Sequence, residues 1–139
     1  SVCGIDFSAE SVATSLRKNA GAVAAGRCEV RQGDVSRLPY ADASFDLVTA
    51  FETVYFWPDV SAALAEVFRV LGPSGVFLIV NEESGDSRWC SIVDGMRTYT
   101  ADALAGWLRA VGFVDVRSDV RGEGGALCLV ARKGPDSVA

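Results

Sequence analysis

RQGDVSRLPYADASFDLVTAFETVYFWPDVSAALAEVFRVLGPSGVFLIV, residues 31–80, is the stretch that decides the fold. Its apolar runs at residues 45–50 and 76–80 have the length of buried strands, and residues 59–71 between them carry a helical period. Strands that alternate with helices in this way are typical of a parallel sheet covered by helices. The stretch therefore predicts an α/β fold.

The same alternation continues on both sides of this stretch. Asp59 is expected to cap the helix of the central stretch, and Ser8 and Thr100 two further helices, because their side chains can accept a hydrogen bond from the first helical turn. Further strands are predicted at residues 1–6, 28–34, 113–119 and 126–132. A turn separates the last two, so we expect them to form an antiparallel hairpin. We expect a single domain over residues 1–139.

The composition excludes several classes of protein. The net charge is −5, from 18 acidic and 13 basic residues, and no segment concentrates Lys or Arg, so we expect no nucleic-acid partner. No apolar run approaches the ~18 residues of a membrane span, and we expect a cytoplasmic protein without a membrane partner. The sequence has no histidine, which removes the commonest general base and metal ligand.

Specific motifs in the central stretch are similar to a known family. Asp34 closes one strand, LPYADASFDLV follows, and a helix ending in FRVLGPSG precedes the strand VFLIV. This order resembles class I S-adenosylmethionine-dependent methyltransferases, and most of all their small-molecule, type 11-like branch. The resemblance implies a three-layer Rossmann-like α/β sheet, mostly parallel with a C-terminal antiparallel hairpin. It also implies S-adenosylmethionine as the cofactor and methyl transfer to a small-molecule acceptor.

The resemblance implies a cofactor-binding role for residues at the ends of the first two strands. Asp6 would accept hydrogen bonds from the ribose hydroxyls, and Phe7 would form an apolar wall for the adenine. Asp34 would contact the adenine amine, with the Val35 amide facing the ring. Each residue also has a plainer interpretation: Asp6 and Asp34 as turn-forming or solvated acids, and Phe7 as a contact to the following helix.

The aromatic loop after the third strand supplies the remaining candidates. By resemblance, Phe51 and Glu52 would meet the methionine end of the cofactor, and Tyr55 and Trp57 the substrate. Trp89, in a long polar loop, is a candidate for a substrate lid, and this segment could equally be a short helix that covers the sheet edge. For Trp57, packing on the helix that follows it is the preferred interpretation. No residue is assigned a catalytic role.

An acidic cluster follows the strand at residues 76–80. It consists of Asn81, Glu82, Glu83 and Asp86. Oxygen-rich clusters can bind Mg²⁺, but this spacing matches no metal motif, and we expect a solvated loop without a metal.

The resemblance also implies a first strand and a glycine-rich loop, and we expect both to be missing, with the chain matching the family from the second strand onward. The absent strand would lie at the centre of the sheet, between the strands at residues 1–6 and 45–50. Unpaired buried backbone groups are costly, so we expect those strands to pair directly, or another chain to close the gap, as in a homodimer through the gap or an edge.

Two other function classes stay open on the sequence. One is a non-catalytic, oligomerising remnant of a methyltransferase, because the glycine-rich loop would anchor the cofactor's carboxylate. The other is a dinucleotide-binding oxidoreductase fragment, because an acid at a strand end also suits a nicotinamide cofactor's ribose. Methyl transfer remains the preferred hypothesis, with impaired activity in this chain alone.

Overall fold

The computed structural model describes residues 1–85, 88–122 and 125–136. Within these ranges, strands and helices alternate over most of the chain. The strands are β1 (Val2–Asp6), β2 (Cys28–Gln32), β3 (Phe45–Phe51), β4 (Leu71–Asn81), β5 (Val114–Val120) and β6 (Leu127–Arg132). The helices are α1 (Ala9–Lys18), α2 (Ala20–Ala24), α3 (Val60–Val70) and α4 (Ala101–Val111), with short 3₁₀ turns at Val54–Phe56 and Arg88–Ser91.

The strands form two separate sheets. β1 and β2 pair in parallel, and the larger sheet has the order β3-β4-β6-β5. β3 and β4 are parallel, whereas β4 with β6 and β5 with β6 are antiparallel. The predicted mixed α/β fold with a C-terminal antiparallel hairpin is confirmed. The alternative that β1 and β3 pair directly is wrong: within the described ranges a gap separates them.

Local capping signals position the helices as predicted. The side chains of Ser8, Asp59 and Thr100 each accept a backbone hydrogen bond from the first turn of α1, α3 and α4, respectively. α4 ends at Gly112, whose φ of 119° lies in the left-handed region that suits glycine. One boundary differs, because α3 ends at Val70 and β4 begins at once with Leu71.

One face of the larger sheet is covered and the other is largely bare. α3 and α4 pack on the face that carries Phe77 and Ile79, both fully buried. The residues of β3 and β4 whose side chains lie on the opposite face are less buried. Among them, Leu47 and Phe51 of β3 are each 56% exposed. Since exposed side chains of this size leave apolar area in water, this bare face is a candidate contact surface.

An ionic cluster fixes the loop between β2 and β3, which has no crossover helix. A Glu66 carboxylate oxygen accepts the Leu38 amide hydrogen at 2.8 Å, and the Arg69 guanidinium donates to Glu66 at 2.7 and 2.9 Å. Arg69 also donates to the Tyr40 carbonyl at 2.8 Å and to Asp42 at 2.7 Å. The cluster therefore ties residues 35–44 to α3.

We expect Glu66→Gln to lower the free energy of unfolding at pH 7 by about 1–2 kcal/mol. The hydrogen bond from Arg69 lowers the pKa of Glu66 below its ordinary value of 4.5. A carboxyl whose pKa is lowered by folding stabilises the protein above its unfolded value and loses that effect as the pH falls. The difference from wild type should therefore shrink below about pH 4.5, measured by urea unfolding.

Glu10→Gln, an exposed change in the first turn of α1, is the matched control. It removes one carboxylate without touching the cluster. A Glu66→Gln difference that is the same at pH 7 and at low pH would contradict the assigned role of the Arg69 ion pair.

Candidate functional site

A cavity of about 1000 Å³ opens at the carboxyl ends of β1, β2 and β3. In open α/β sheets, ligands bind outside the carboxyl ends of the strands. Six of the nine residues singled out from the sequence line this cavity, and the fold brings them together from three strand ends. They are Asp6, Phe7, Asp34, Val35, Glu52 and Trp57.

Asp6 ends β1 with a carboxylate fixed by the backbone. Its Oδ1 accepts the amide hydrogen of Ser8 at 2.8 Å, and the Ser8 side chain in turn caps α1. Asp6 therefore does not cap the helix itself but orients the residue that does. An ionised carboxylate has further lone pairs that can accept hydrogen bonds from hydroxyl groups of a ligand.

Asp34 lies next to Asp6 because the ends of β1 and β2 are joined. The Gly33 amide donates to the Asp6 carbonyl at 2.9 Å. A Cβ on Gly33 would lie 2.6 Å from Ile5 Cδ1, so any other residue at this position would have to displace the Ile5 side chain of β1. Asp34 Oδ1 accepts the Ser36 amide hydrogen at 2.8 Å, which forms the turn that the plainer interpretation predicted.

Glu52 follows β3 in a strained backbone conformation. Its φ is 54°, in the left-handed region that non-glycine residues rarely occupy. Its Oε1 accepts the Glu82 amide hydrogen at 2.6 Å, which links the segments after β3 and β4. Strain of this kind persists where the surrounding structure enforces it, and it is concentrated at functional sites.

Tyr55 is placed in the interior and does not line the cavity. Its side chain is 3% exposed, and its hydroxyl accepts the Glu83 amide hydrogen at 2.8 Å and donates to the Glu83 carbonyl at 3.3 Å. Burial, the largest cause, raises the pKa of Tyr55 to about 12. Trp57 both lines the cavity and stacks on Phe77, with ring centroids 6.4 Å apart.

Phe51 and Trp89 lie elsewhere. Phe51 belongs to the bare face of the larger sheet. Trp89 lies in the Arg88–Ser91 turn, with the Arg88 guanidinium 5.2 Å from its ring centroid. Neither side chain lines the cavity, so their predicted ligand contacts draw no support from this arrangement.

Sequence reasoning missed two features of this region. Gly33 could have been found from its place directly before Asp34 at a strand end. Asn81 was assigned to a solvated cluster but is fully buried, and both polar atoms of its amide have no partner among the described residues. No local signal distinguishes it from an exposed loop residue, because burial depends on packing around β4.

The described residues contain no group of three Asp, Glu, Cys or His side chains placed to hold a metal ion. Glu82 and Glu83 of the acidic cluster are described, whereas Asp86 lies outside the described residues. Among the described helices, none is both long and apolar enough to cross a membrane.

Comparisons with known proteins agree with the fold. The demethylmenaquinone methyltransferase of Lactobacillus johnsonii is 36% identical over 74 residues, which are 53% of this chain and 30% of that protein. The ubiquinone/menaquinone biosynthesis C-methyltransferase UbiE of Geotalea daltonii is 38% identical over 80 residues, 58% of this chain and 34% of that protein. The chain thus spans about a third of the length of these relatives.

Among solved structures, the [4+2]-cyclase SpnF superposes with a TM-score of 0.78 at 21% identity, covering 99% of this chain and 67% of that one. Identity this low supports the fold alone, and one fold can host several reactions. Residues 1–79, more than half of the chain, match the family described as methyltransferase domain. The chain therefore belongs to this methyltransferase-domain family, within the class I S-adenosylmethionine-dependent methyltransferases.

Proposed function

We propose that this chain binds the nucleoside part of S-adenosylmethionine at the carboxyl ends of β1 and β2 and serves methyl transfer to a small-molecule acceptor. One observation carries the proposal: Asp6, the last residue of β1, and Asp34, two residues after the adjacent parallel strand β2, line a single cavity. Family membership supports S-adenosylmethionine as the cofactor. The location of the cavity at the carboxyl ends of the strands supports it as the binding site, because ligands of open α/β sheets bind there.

The residues present fit a nucleoside. The cavity volume is at the upper end of the range for small-molecule sites, roughly 300–1000 Å³. Asp6 Oδ1 is engaged by Ser8, which leaves the second carboxylate oxygen for ribose hydroxyls. Phe7 lines the cavity, is 75% exposed and can cover an adenine face, and Val35, next to Asp34 in the sequence, also lines the cavity.

When bound, S-adenosylmethionine supplies a methyl group on a positively charged sulfur. The chain's residues contribute by orienting cofactor and acceptor, which accounts for much of the rate enhancement in reactions of two bound molecules. An acceptor that carries a proton must lose it. With Tyr55 protonated at neutral pH, the proposed proton acceptor is the Glu52 carboxylate in the cavity or a basic group of the acceptor itself.

The gap between β1 and β3 favours a second candidate, a domain that binds the cofactor weakly and does not transfer methyl groups by itself. The cavity lining includes Val67 and Phe77 of the core, so the methionine end of the cofactor would meet an apolar surface there. Stoichiometric methyl transfer by the 139-residue chain would overturn this second candidate.

The binding proposal is tested by calorimetric titration with S-adenosylhomocysteine. We expect saturable binding by wild type and an affinity about tenfold or more lower for Asp6→Ala, since hydrogen bonds to a charged acceptor are lost. Asp119→Ala, an exposed change on β5, is the matched control and should bind as wild type does. Equal affinities of all three proteins, or no binding at millimolar ligand, would contradict the proposal.

A further inference from the structure

One wall of the cavity comes from a single loop. Directly after β3, this loop wall contributes Glu52, Thr53, Phe56, Trp57 and Pro58 to the lining. All of them except Trp57 are exposed, and the Phe56 side chain is 43% exposed. A ligand can therefore reach the loop wall from solvent.

The charged side chains that line the cavity all have the same sign. They are Asp6, Asp34 and Glu52, and within the part of the chain that the structure describes no Lys or Arg lines it. Carboxylates grouped in a cleft raise the local concentration of cations and repel anions. An acceptor that carries a carboxylate or a phosphate is therefore disfavoured, and a positively charged acceptor is favoured.

Glu52 is the carboxylate that the nucleoside leaves over. Its Oε1 accepts the Glu82 amide hydrogen at 2.6 Å, so the side chain is held by the backbone after β4. Burial is the largest cause of the raised pKa of Tyr55, and the nearby Glu52 carboxylate raises it further. A carboxylate can accept several hydrogen bonds, so Glu52 held in this way can still accept one from an N–H donor.

An exposed aromatic ring lies on the same loop wall. Phe56 packs edge-to-face with Tyr55, with ring centroids 6.2 Å apart and an interplanar angle of 88°. Aromatic faces attract ammonium groups, and their area also suits an apolar body. A carboxylate and an aromatic ring on one short loop together match an organic cation better than either group does alone.

We propose that the loop wall binds the methyl acceptor as a protonated amine attached to an aromatic or other apolar body. The inference rests on the proposed function, in which Asp6 and Asp34 hold the nucleoside. The cavity of about 1000 Å³ is at the upper end of the range for small-molecule sites, which leaves room for an acceptor beside a nucleoside.

The chemistry of such an acceptor is compatible with the residues of the loop wall. The ammonium group first loses one proton, to Glu52 or to water at the exposed loop wall, which frees the nitrogen lone pair. That lone pair forms the new N–C bond while the S–C bond breaks, and the electron pair of the broken bond stays on sulfur. The product is a methylammonium cation.

The test compares three ligands of similar size on the 139-residue chain: 2-phenylethylamine, 2-phenylethanol and phenylacetate. Each is titrated at neutral pH and followed by NMR, with and without 5′-methylthioadenosine, which has the nucleoside but no methionine chain. We expect millimolar affinity for the amine, about tenfold weaker binding of the alcohol, and still weaker binding of the acid. The amide signals of Glu52, Thr53 and Phe56 should shift with the amine.

Two variants identify the groups that recognise the cation. Glu52→Gln keeps an acceptor for the Glu82 amide and should weaken amine binding about three- to fivefold, without changing the affinity for methylthioadenosine. Glu82→Gln is the matched control, because Glu82 is exposed, follows β4 and does not line the cavity. Phe56→Leu should weaken binding of the amine about two- to fivefold and change the affinity for the alcohol less.

Several results would overturn the proposal. They are the absence of amine binding at tens of millimolar, equal affinity for amine and alcohol, or equal effects of Glu52→Gln and Glu82→Gln. A Glu52→Gln variant that binds the amine normally but S-adenosylhomocysteine more weakly would assign Glu52 to the methionine end of the cofactor instead. A chain that binds the amine but not methylthioadenosine would contradict the nucleoside site, whereas the reverse result would contradict the amine site alone.

Discussion

Lys133→Met is expected to lower the free energy of unfolding by about 2–4 kcal/mol, the largest change of any single substitution considered for this chain. The Lys133 side chain is 1% exposed, and its Nζ donates to the carbonyls of Phe68 at 2.8 Å and Leu71 at 2.7 Å. Methionine keeps the aliphatic stem and removes the donor. The carbonyls of Phe68 and Leu71 then lose this hydrogen bond.

The cost follows from how α3 ends. The last carbonyls of a helix have no partner within the helix, and here the chain passes directly into β4 without a linking residue. Lys133, just after β6, supplies that partner from a distant part of the sequence. Its ammonium group also lies 4.4 Å from the Phe68 ring centroid, which adds a cation–π contact.

Urea unfolding of Lys133→Met at neutral pH measures the effect. Lys18→Met is the matched control, because Lys18 is exposed in the last turn of α1 and its replacement should change stability by no more than about 0.5 kcal/mol. Equal losses in the two variants would contradict the role assigned to Lys133 as the cap of α3.

The burial of Lys133 could not be predicted from the sequence. Lys is almost never fully buried, so a pattern of apolar and polar residues places Lys133 on the surface. The helices at Ser8, Asp59 and Thr100 were predictable because a cap and an apolar period are local signals. Lys133 is buried by partners more than 60 residues away in the sequence, which no local pattern contains.

The start of β4 was less predictable for a similar reason. Gly72 and Pro73 indicate a helix end followed by a turn, yet the strand begins at Leu71. Leu71 pairs with Phe45 across a register shift, so the neighbouring strand extends β4 beyond what its own residues favour. The division into two sheets likewise depends on which strands hydrogen-bond to each other, and this pairing is not contained in the sequence of any one strand.

The candidate site was predictable where it depends on strand ends. Asp6 closes β1, Glu52 directly follows β3, and Asp34 lies two residues after β2. The ends of parallel strands meet at one edge of the fold, so these three residues line one cavity. The positions of side chains a few residues beyond a strand end depend on how they pack against the rest of the fold. Tyr55 is therefore buried and does not line the cavity, whereas the family resemblance implied a contact with the substrate.

Tyr55 gives the second large prediction, a loss of stability at alkaline pH that Tyr55→Phe abolishes. Its pKa is raised to about 12 from an ordinary value of 10.0, chiefly by burial. A group whose pKa is raised by folding stabilises the protein fully below its unfolded value and loses that contribution as the pH rises through the folded value. Relative to Tyr55→Phe, wild type should lose about 2–3 kcal/mol between pH 10 and pH 12.

Urea unfolding of both proteins at several pH values in this range measures the difference, and the ultraviolet difference spectrum between them reports ionisation of this one phenol. Parallel stability curves for the two proteins would contradict the assignment. A phenol that stays protonated to about pH 12 and is bonded to the Glu83 backbone is a poor general base near neutrality. Tyr55 then joins the loop after β3 to the segment after β4, which leaves Glu52 or the acceptor itself as the proposed proton acceptor.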